Sequence, residues 1–175
     1  SVLRTLRNWA SAASNKSDAK ADAVVEWLEE NLKVDGVWSD KRGILFTEYR
    51  TTQGWLQQIL AMRGFGSERL EIIHGGMDQE DREKVRAAFQ ASPSVSPVRI
   101  LLATDAASEG IDLQNHCSRM IHIEIPYNPN VMEQRNGRID RHGQKDDEVL
   151  VLHPVDAGGD RGKDILRAIR KLEAM

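Results

Sequence analysis

Apolar positions along the chain fall into short runs separated by segments with helical spacing. Five runs are continuous or nearly so: Gly43 to Thr47, Leu70 to Ile73, Val98 to Ala103, Arg119 to Ile125 and Val149 to Leu152. Runs this short and this apolar predict buried strands. Between them the apolar spacing changes to three and four. Val24, Trp27, Leu28 and Leu32 make a stripe on a helix predicted over 19–32, with Asp18 as its N-cap. Trp55, Leu56, Ile59 and Leu60 make a second helix, capped by Thr51 or Thr52 and stopped at Gly64 or Gly66. Asp78 opens a third. Glu80, Asp81 and Glu83 crowd its first turns, with Lys84 and Arg86 behind them, as the helix dipole prefers. A short helix is predicted over 106–113. Pro126 and Pro129 delay the next one, predicted over 130–141, and a basic helix over 160–172 closes the chain. Gly36 to Gly43 and Ala91 to Pro97 read as connections.

Strands alternating with amphipathic helices predict an α/β fold, a mainly parallel sheet with helices on both faces. In such sheets ligands bind beyond the carboxyl ends of the strands. The polar or glycine-containing stretches Thr47-Glu48, His74-Gly75-Gly76, Thr104-Asp105 and Pro126 to Asn130 all follow strand ends. Residues 1–17 read as an N-terminal linker or extension, on the Ser11 to Ser17 run, and 18–175 as one domain. The 175 residues suffice for a substantial core.

Composition narrows the partners. A net charge of −3 advertises no global attraction for nucleic acid, so any such binding must come from a local basic patch. The single cysteine, Cys117, excludes an internal disulfide and a cysteine metal cluster, and favours a reducing compartment. The five histidines show no metal-ligand spacing, so no metal site is expected on this chain. No apolar run approaches the roughly 20 residues that span a bilayer, and no membrane partner is expected. The start at Ser1, without a signal-peptide layout, reads as a fragment of a longer cytoplasmic protein.

Two stretches carry chemistry. The first is Gln134-Arg135-Asn136-Gly137-Arg138-Ile139-Asp140-Arg141-His142-Gly143-Gln144. On a helix Arg138 and Arg141, three apart, share a face, and two forked guanidiniums suit a triphosphate or a nucleic-acid backbone. A solvated basic helix end fits the same residues. The second is Thr104 to Gln114. Thr104 and Ser108 can donate to phosphate oxygens, Gly110 permits close approach, and Asp112 can accept from ribose hydroxyls or orient an arginine. An ordinary strand–loop–helix with Asp105 as cap fits equally.

The first stretch resembles the sixth motif of superfamily 2 helicases and translocases, Gln-Arg-x-Gly-Arg-x-x-Arg, and the trailing Gly143-Gln144 is similar to its Swi/Snf branch. Thr104 to Gln114 resembles the fifth motif, His74 to Met77 the turn between the fourth and fifth, and Ile44 to Tyr49 the fourth. Ser108-Glu109 stands where eukaryotic remodellers carry two glycines, a form more similar to bacterial members. Gln134, where DEAD-box RNA helicases have His, points away from that branch. The resemblance implies the second lobe of a RecA-like three-layer α/β/α sandwich. Arg138 and Arg141 would then be arginine fingers acting on ATP. Gly110, Asp112 and Gln134 would complete the nucleotide cleft. Thr104, Ser108, Arg135, His74, Gly75 and Gly76 would face nucleic acid, with double-stranded DNA as the expected partner. A first RecA-like lobe would hold ATP and Mg²⁺. This chain has no phosphate loop of its own: around Gly162-Lys163 the leading position is Ala157 and the last Asp164. Two other readings are a non-catalytic nucleic-acid-binding or interaction module and a nucleotide-sensing regulatory domain.

Overall fold

The structure, a computed structural model, describes residues 19–108, 112–156 and 164–172. The N-terminal linker expected over 1–17 lies outside them. All five predicted strands form: β3 (Gly43–Thr47), β4 (Leu70–Ile73), β5 (Ile100–Thr104), β6 (Arg119–His122) and β7 (Glu148–Asp156). With β8 (Asp164–Leu172) they make one sheet in the order β4-β5-β3-β6-β7-β8. The four pairings among β3 to β7 are parallel. β3 lies at the centre, in register with β5 from Gly43 opposite Ile100 to Thr47 opposite Thr104.

The continuous apolar runs have a direct cause. Both faces of the sheet are covered, so both side-chain directions of a strand must be apolar. Ile44, Phe46, Leu101, Ala103 and Met120 pack on one face with Val85 and Phe89 of α3 (Gln79–Gln90). Leu45, Leu102, Ile121 and Leu152 pack on the other. There they meet Leu56 and Leu60 of α2 (Arg50–Met62) and the Val24, Trp27, Leu28 and Leu32 stripe of α1, the helix over 19–32. Helix, sheet and helix make three layers. Cys117 is buried in the first core, and burial pushes its thiol up to about 12.

Local signals explain most boundaries. Asp78 caps α3, accepting from the Asp81 amide at 2.8 Å, and Gly64 follows α2 with a φ of 84°. The cap of α2 is Tyr49, without a side-chain bond, not Thr51 or Thr52. Here the carboxylate of Glu124 binds the Thr47 hydroxyl at 3.0 Å and the Glu48 amide at 3.0 Å. That fixes the chain leaving β3 and starts the helix two or three residues earlier than the threonines would. Ahead of β3, β1 (Lys33–Val34) and β2 (Val37–Trp38) form a hairpin where the sequence predicted only helix end and connection. Its turn residues Asp35 and Gly36 have φ of 52° and 74°, so Asp-Gly between two valines was the signal.

Three predicted helices are corrected. α4 is described over Asp105–Ser108; residues 109–111 of the expected helix lie outside the described ones, and 112 and 113 are not helical. α5 (Pro129–Asn136) stops at Gly137, so residues 137–141 form turns and not a helix face. In place of a helix over 160–172, β8 pairs antiparallel with β7 through nine residue pairs. Without β8, β7 would present a row of unpaired backbone groups at the sheet edge, and pairing satisfies them. Residues 160–163 of that expected helix lie outside the described ones.

Beneath the amino ends of the strands lies a structural arginine the sequence did not signal. Arg42 is 1% exposed. Its guanidinium donates to the carbonyls of Val98 at 2.9 Å and Phe89 at 2.6 Å, and also to that of Ala91. It closes the carboxyl end of α3 and holds the loop that leads into β5. Burial, then repulsion from Arg99, pulls its pKa down to about 10.

Candidate nucleotide and nucleic-acid site

Parallel strands end on one edge, so the segments after β4, β5, β3 and β6 converge there. Thr104 ends β5 beside Thr47, and both are buried. After β4, the Gly76 amide donates to His74 Nδ1 at 3.1 Å, and both glycines are exposed. A Cβ added to Gly75 would lie 3.0 Å from that of Ala106, so this turn rests against α4. Burial, then the nearby Arg50, lowers the His74 pKa. The turn and the end of β5 therefore form one continuous rim.

Arg135 is not on that rim. It was expected to face nucleic acid, and the structure corrects this: the side chain is 1% exposed and its guanidinium is bonded inside the protein. Nε and Nη2 grip the two Asp105 oxygens at 2.5 and 2.7 Å, and Nη1 reaches the Glu124 carbonyl at 3.2 Å and His122 Nδ1 at 3.1 Å. The guanidinium also lies 5.4 Å from the Phe46 ring centre. No sequence-spacing rule links Arg135 to Asp105, thirty residues away, so only the fold reveals the pair.

The network fixes the charge of His122. A guanidinium only donates, so His122 Nδ1 accepts, and its Nε2–H donates to Asn136 Oδ1 at 2.9 Å. The ring is neutral, and burial pushes its pKa down to about 4. The unfolded chain, with an ordinary histidine pKa near 6.5, takes up a proton that the folded chain refuses. The neutral-histidine contribution to stability is therefore complete above pH 6.5 and lost as pH falls toward 4. It amounts to roughly 3 kcal/mol, at 1.36 kcal/mol per pKa unit. Urea midpoints of wild type and His122→Gln measured from pH 7.5 to 4.5 should converge as pH falls. Parallel curves would refute this.

The fifth- and sixth-motif segments meet. Leu113 donates its amide to the Arg138 carbonyl at 3.0 Å, and the Gln114 side chain reaches the His142 carbonyl at 3.4 Å. Arg141 pairs with Asp112, and Gln90 binds the Asp112 carbonyl. Gln144 braces the turn by donating to the Cys117 and Ile139 carbonyls at 2.9 and 2.8 Å. The turn that carries Arg138 and Arg141 is thus braced against the segment after β5. Side chains of Arg141 and Asp112 are 43% and 53% exposed, so their pairing is weak, at most about 1 kcal/mol. Arg138 is half-buried, and its Nε has no hydrogen-bond partner among the described residues. The exposed fork of Arg141 suits a polyanionic ligand such as a polyphosphate. Gln134 is exposed on α5. Gly110 and the Ser108 side chain lie outside the described residues. Among the described residues no three His, Cys, Asp or Glu side chains could hold a metal, and no helix is long and apolar enough to cross a membrane.

A mainly parallel sheet between helical layers is the RecA-like fold of helicase C-terminal domains. Residues 22–143 match the helicase conserved C-terminal domain, and the chain belongs to that family, in its Swi/Snf-type superfamily 2 branch. It is 39% identical over 108 residues to the uncharacterized ATP-dependent helicase YqhH of Bacillus subtilis, a match covering 62% of this chain and 18% of that protein. It is 32% identical over 126 residues to the RNA polymerase-associated protein RapA of Vibrio vulnificus, covering 72% of this chain and 12% of that one. The C-terminal part of the Fun30 ATPase domain shares the fold, with a TM-score of 0.61 and 20% identity over 73% of this chain and 38% of that one. These bacterial relatives agree with the expected similarity to bacterial members of the family. The matches span less than a fifth of the two relatives' length.

Proposed function

We propose that this chain is the second lobe of an ATP-dependent translocase acting on nucleic acid, with double-stranded DNA as its track. The observation that carries the reading is that the arginine-rich turn folds against the segment after β5, through the Arg141–Asp112 pair and the bond from the Leu113 amide to the Arg138 carbonyl. In this reading a first RecA-like lobe holds ATP and Mg²⁺. Arg138 and Arg141 reach across the cleft and stabilise the charge spread over the phosphoryl oxygens in the transition state. Asp112 holds Arg141 oriented until the phosphates replace it, and Gln134 and Gly110 line the same cleft. Thr104, Ser108 and the His74-Gly75-Gly76 turn hold the phosphates of one strand. Cleft closure and opening then step the protein along the duplex.

The test compares two proteins. The full-length protein should hydrolyse ATP faster with duplex DNA present, and the 175-residue chain alone should show no turnover above a blank. Turnover by the lone chain that disappears with Arg141→Ala would defeat the two-lobe reading. Stronger stimulation by single-stranded RNA than by duplex DNA would reassign the track.

A further inference from the structure

We infer that Arg135 is a positioning residue: its two-pronged grip on Asp105 makes α4 and α5 one body, so that nucleic acid bound after β5 sets the arginines after α5. The inference rests on the two-lobe reading above and adds a coupling element to it. Asp105 directly follows Thr104, the expected phosphate contact, and it begins α4, against which the His74–Gly76 turn rests. Arg135 sits in the last turn of α5, three residues before Arg138. The bond between them is bidentate, at 2.5 and 2.7 Å, from a side chain 1% exposed to a carboxylate 31% exposed.

Other contacts stiffen both ends of this link. Arg135 Nη1 is held by the Glu124 carbonyl and by His122, whose other ring nitrogen binds Asn136 on α5. Glu124 in turn is bonded to Thr47 and Glu48 after β3. Three of the four strand-end segments are therefore tied to one guanidinium, and the fourth lies against α4. A planar fork fixes both distance and direction, which a lysine ammonium cannot do. Displacing a catalytic group by about 1 Å can slow a reaction on the order of 10²-fold. A loosened fork should therefore act on the step that needs the arginines aligned, not on ATP capture by the other lobe.

The experiment uses the full-length protein with Arg135→Lys and Asp105→Asn, and measures ATP turnover with and without saturating duplex DNA. The expected result is a DNA-stimulated kcat reduced about 10- to 100-fold in both variants, with a much smaller reduction in DNA-free kcat. The KM for ATP should stay within a few-fold, and the double variant should be little worse than either single one. Asp105→Asn keeps the Arg135 bonds to His122 and Glu124, so it reports even where Arg135→Lys fails to fold. If stimulated and unstimulated kcat fell in the same proportion, or if stimulation survived in both single variants, Arg135 would only stabilise the fold. If the wild-type protein showed no DNA stimulation, the translocase reading would fail, and this inference with it.

Discussion

Replacing Arg141 by alanine in the full-length protein should lower kcat by about 10³–10⁵-fold, the range for arginine fingers in phosphoryl transfer. ATP affinity should stay within a few-fold, because a finger acts mainly on charge that develops in the transition state. The structure adds a reason the residue is available. Its partner Asp112 is half-exposed, and an ion pair in water is readily exchanged for a phosphate oxygen. Arg141→Lys should not rescue, since a point charge lacks the planar fork. Arg138→Ala should be similarly damaging, and the double variant little worse than either, because the two act as a unit. The assay is nucleic-acid-stimulated turnover, with ATP binding and thermal unfolding measured in parallel. Near-normal turnover in Arg141→Ala, or turnover lost only through unfolding, would refute the finger role.

The largest effect on stability should come from Arg42→Met, about 3–5 kcal/mol destabilising, since each buried carbonyl left without a donor costs about 1–3 kcal/mol. The methionine fills much of the arginine's volume but donates nothing, so the carbonyls of Phe89 and Ala91 lose this donor inside the protein and that of Val98 keeps only Arg99. For a domain of this size the loss is a large part of the total, and Tm should drop by roughly 10 °C. Arg63→Met, at an exposed pair with Asp22, should stay within about 0.5 kcal/mol and serves as the control. Urea unfolding of the two variants decides. A loss below about 1 kcal/mol at Arg42 would mean that water reaches those carbonyls.

The core of the fold was legible because a sheet covered on both faces demands apolar runs, and Ile44-Leu45-Phe46 or Leu101-Leu102-Ala103 could hardly be anything else. Helix starts were legible where a side chain makes them, as at Asp78. They were not where a distant carboxylate makes them, as Glu124 does before α2. Residues 164–172 illustrate the limit. Ile165, Ile169 and Leu172 satisfy helical spacing, yet the segment pairs as β8, and nothing in its own pattern reveals the edge of β7. The candidate site shows the same division. The arginine-rich stretch and the segment after β5 announced themselves by residue type. That Arg141 meets Asp112 and the Arg138 carbonyl meets Leu113 through a turn after Gly137, and that Arg135 faces inward to Asp105, are consequences of contacts more than twenty residues apart.

Cys117 has a practical bearing on how such a motor could be watched. It is the single cysteine of the chain, it is buried, and at a pKa of about 12 almost none of it is thiolate near neutral pH. Maleimide dyes, which react with thiolate, should pass it by. For labelling purposes this lobe is already a cysteine-free background. A cysteine placed on the exposed side of α3, at Glu80 or Glu83, would carry a fluorophore at one known point. In the proposed two-lobe enzyme, energy transfer to a second dye on the other lobe would then test for opening and closing of the cleft in single molecules, without first rebuilding the core around a missing thiol.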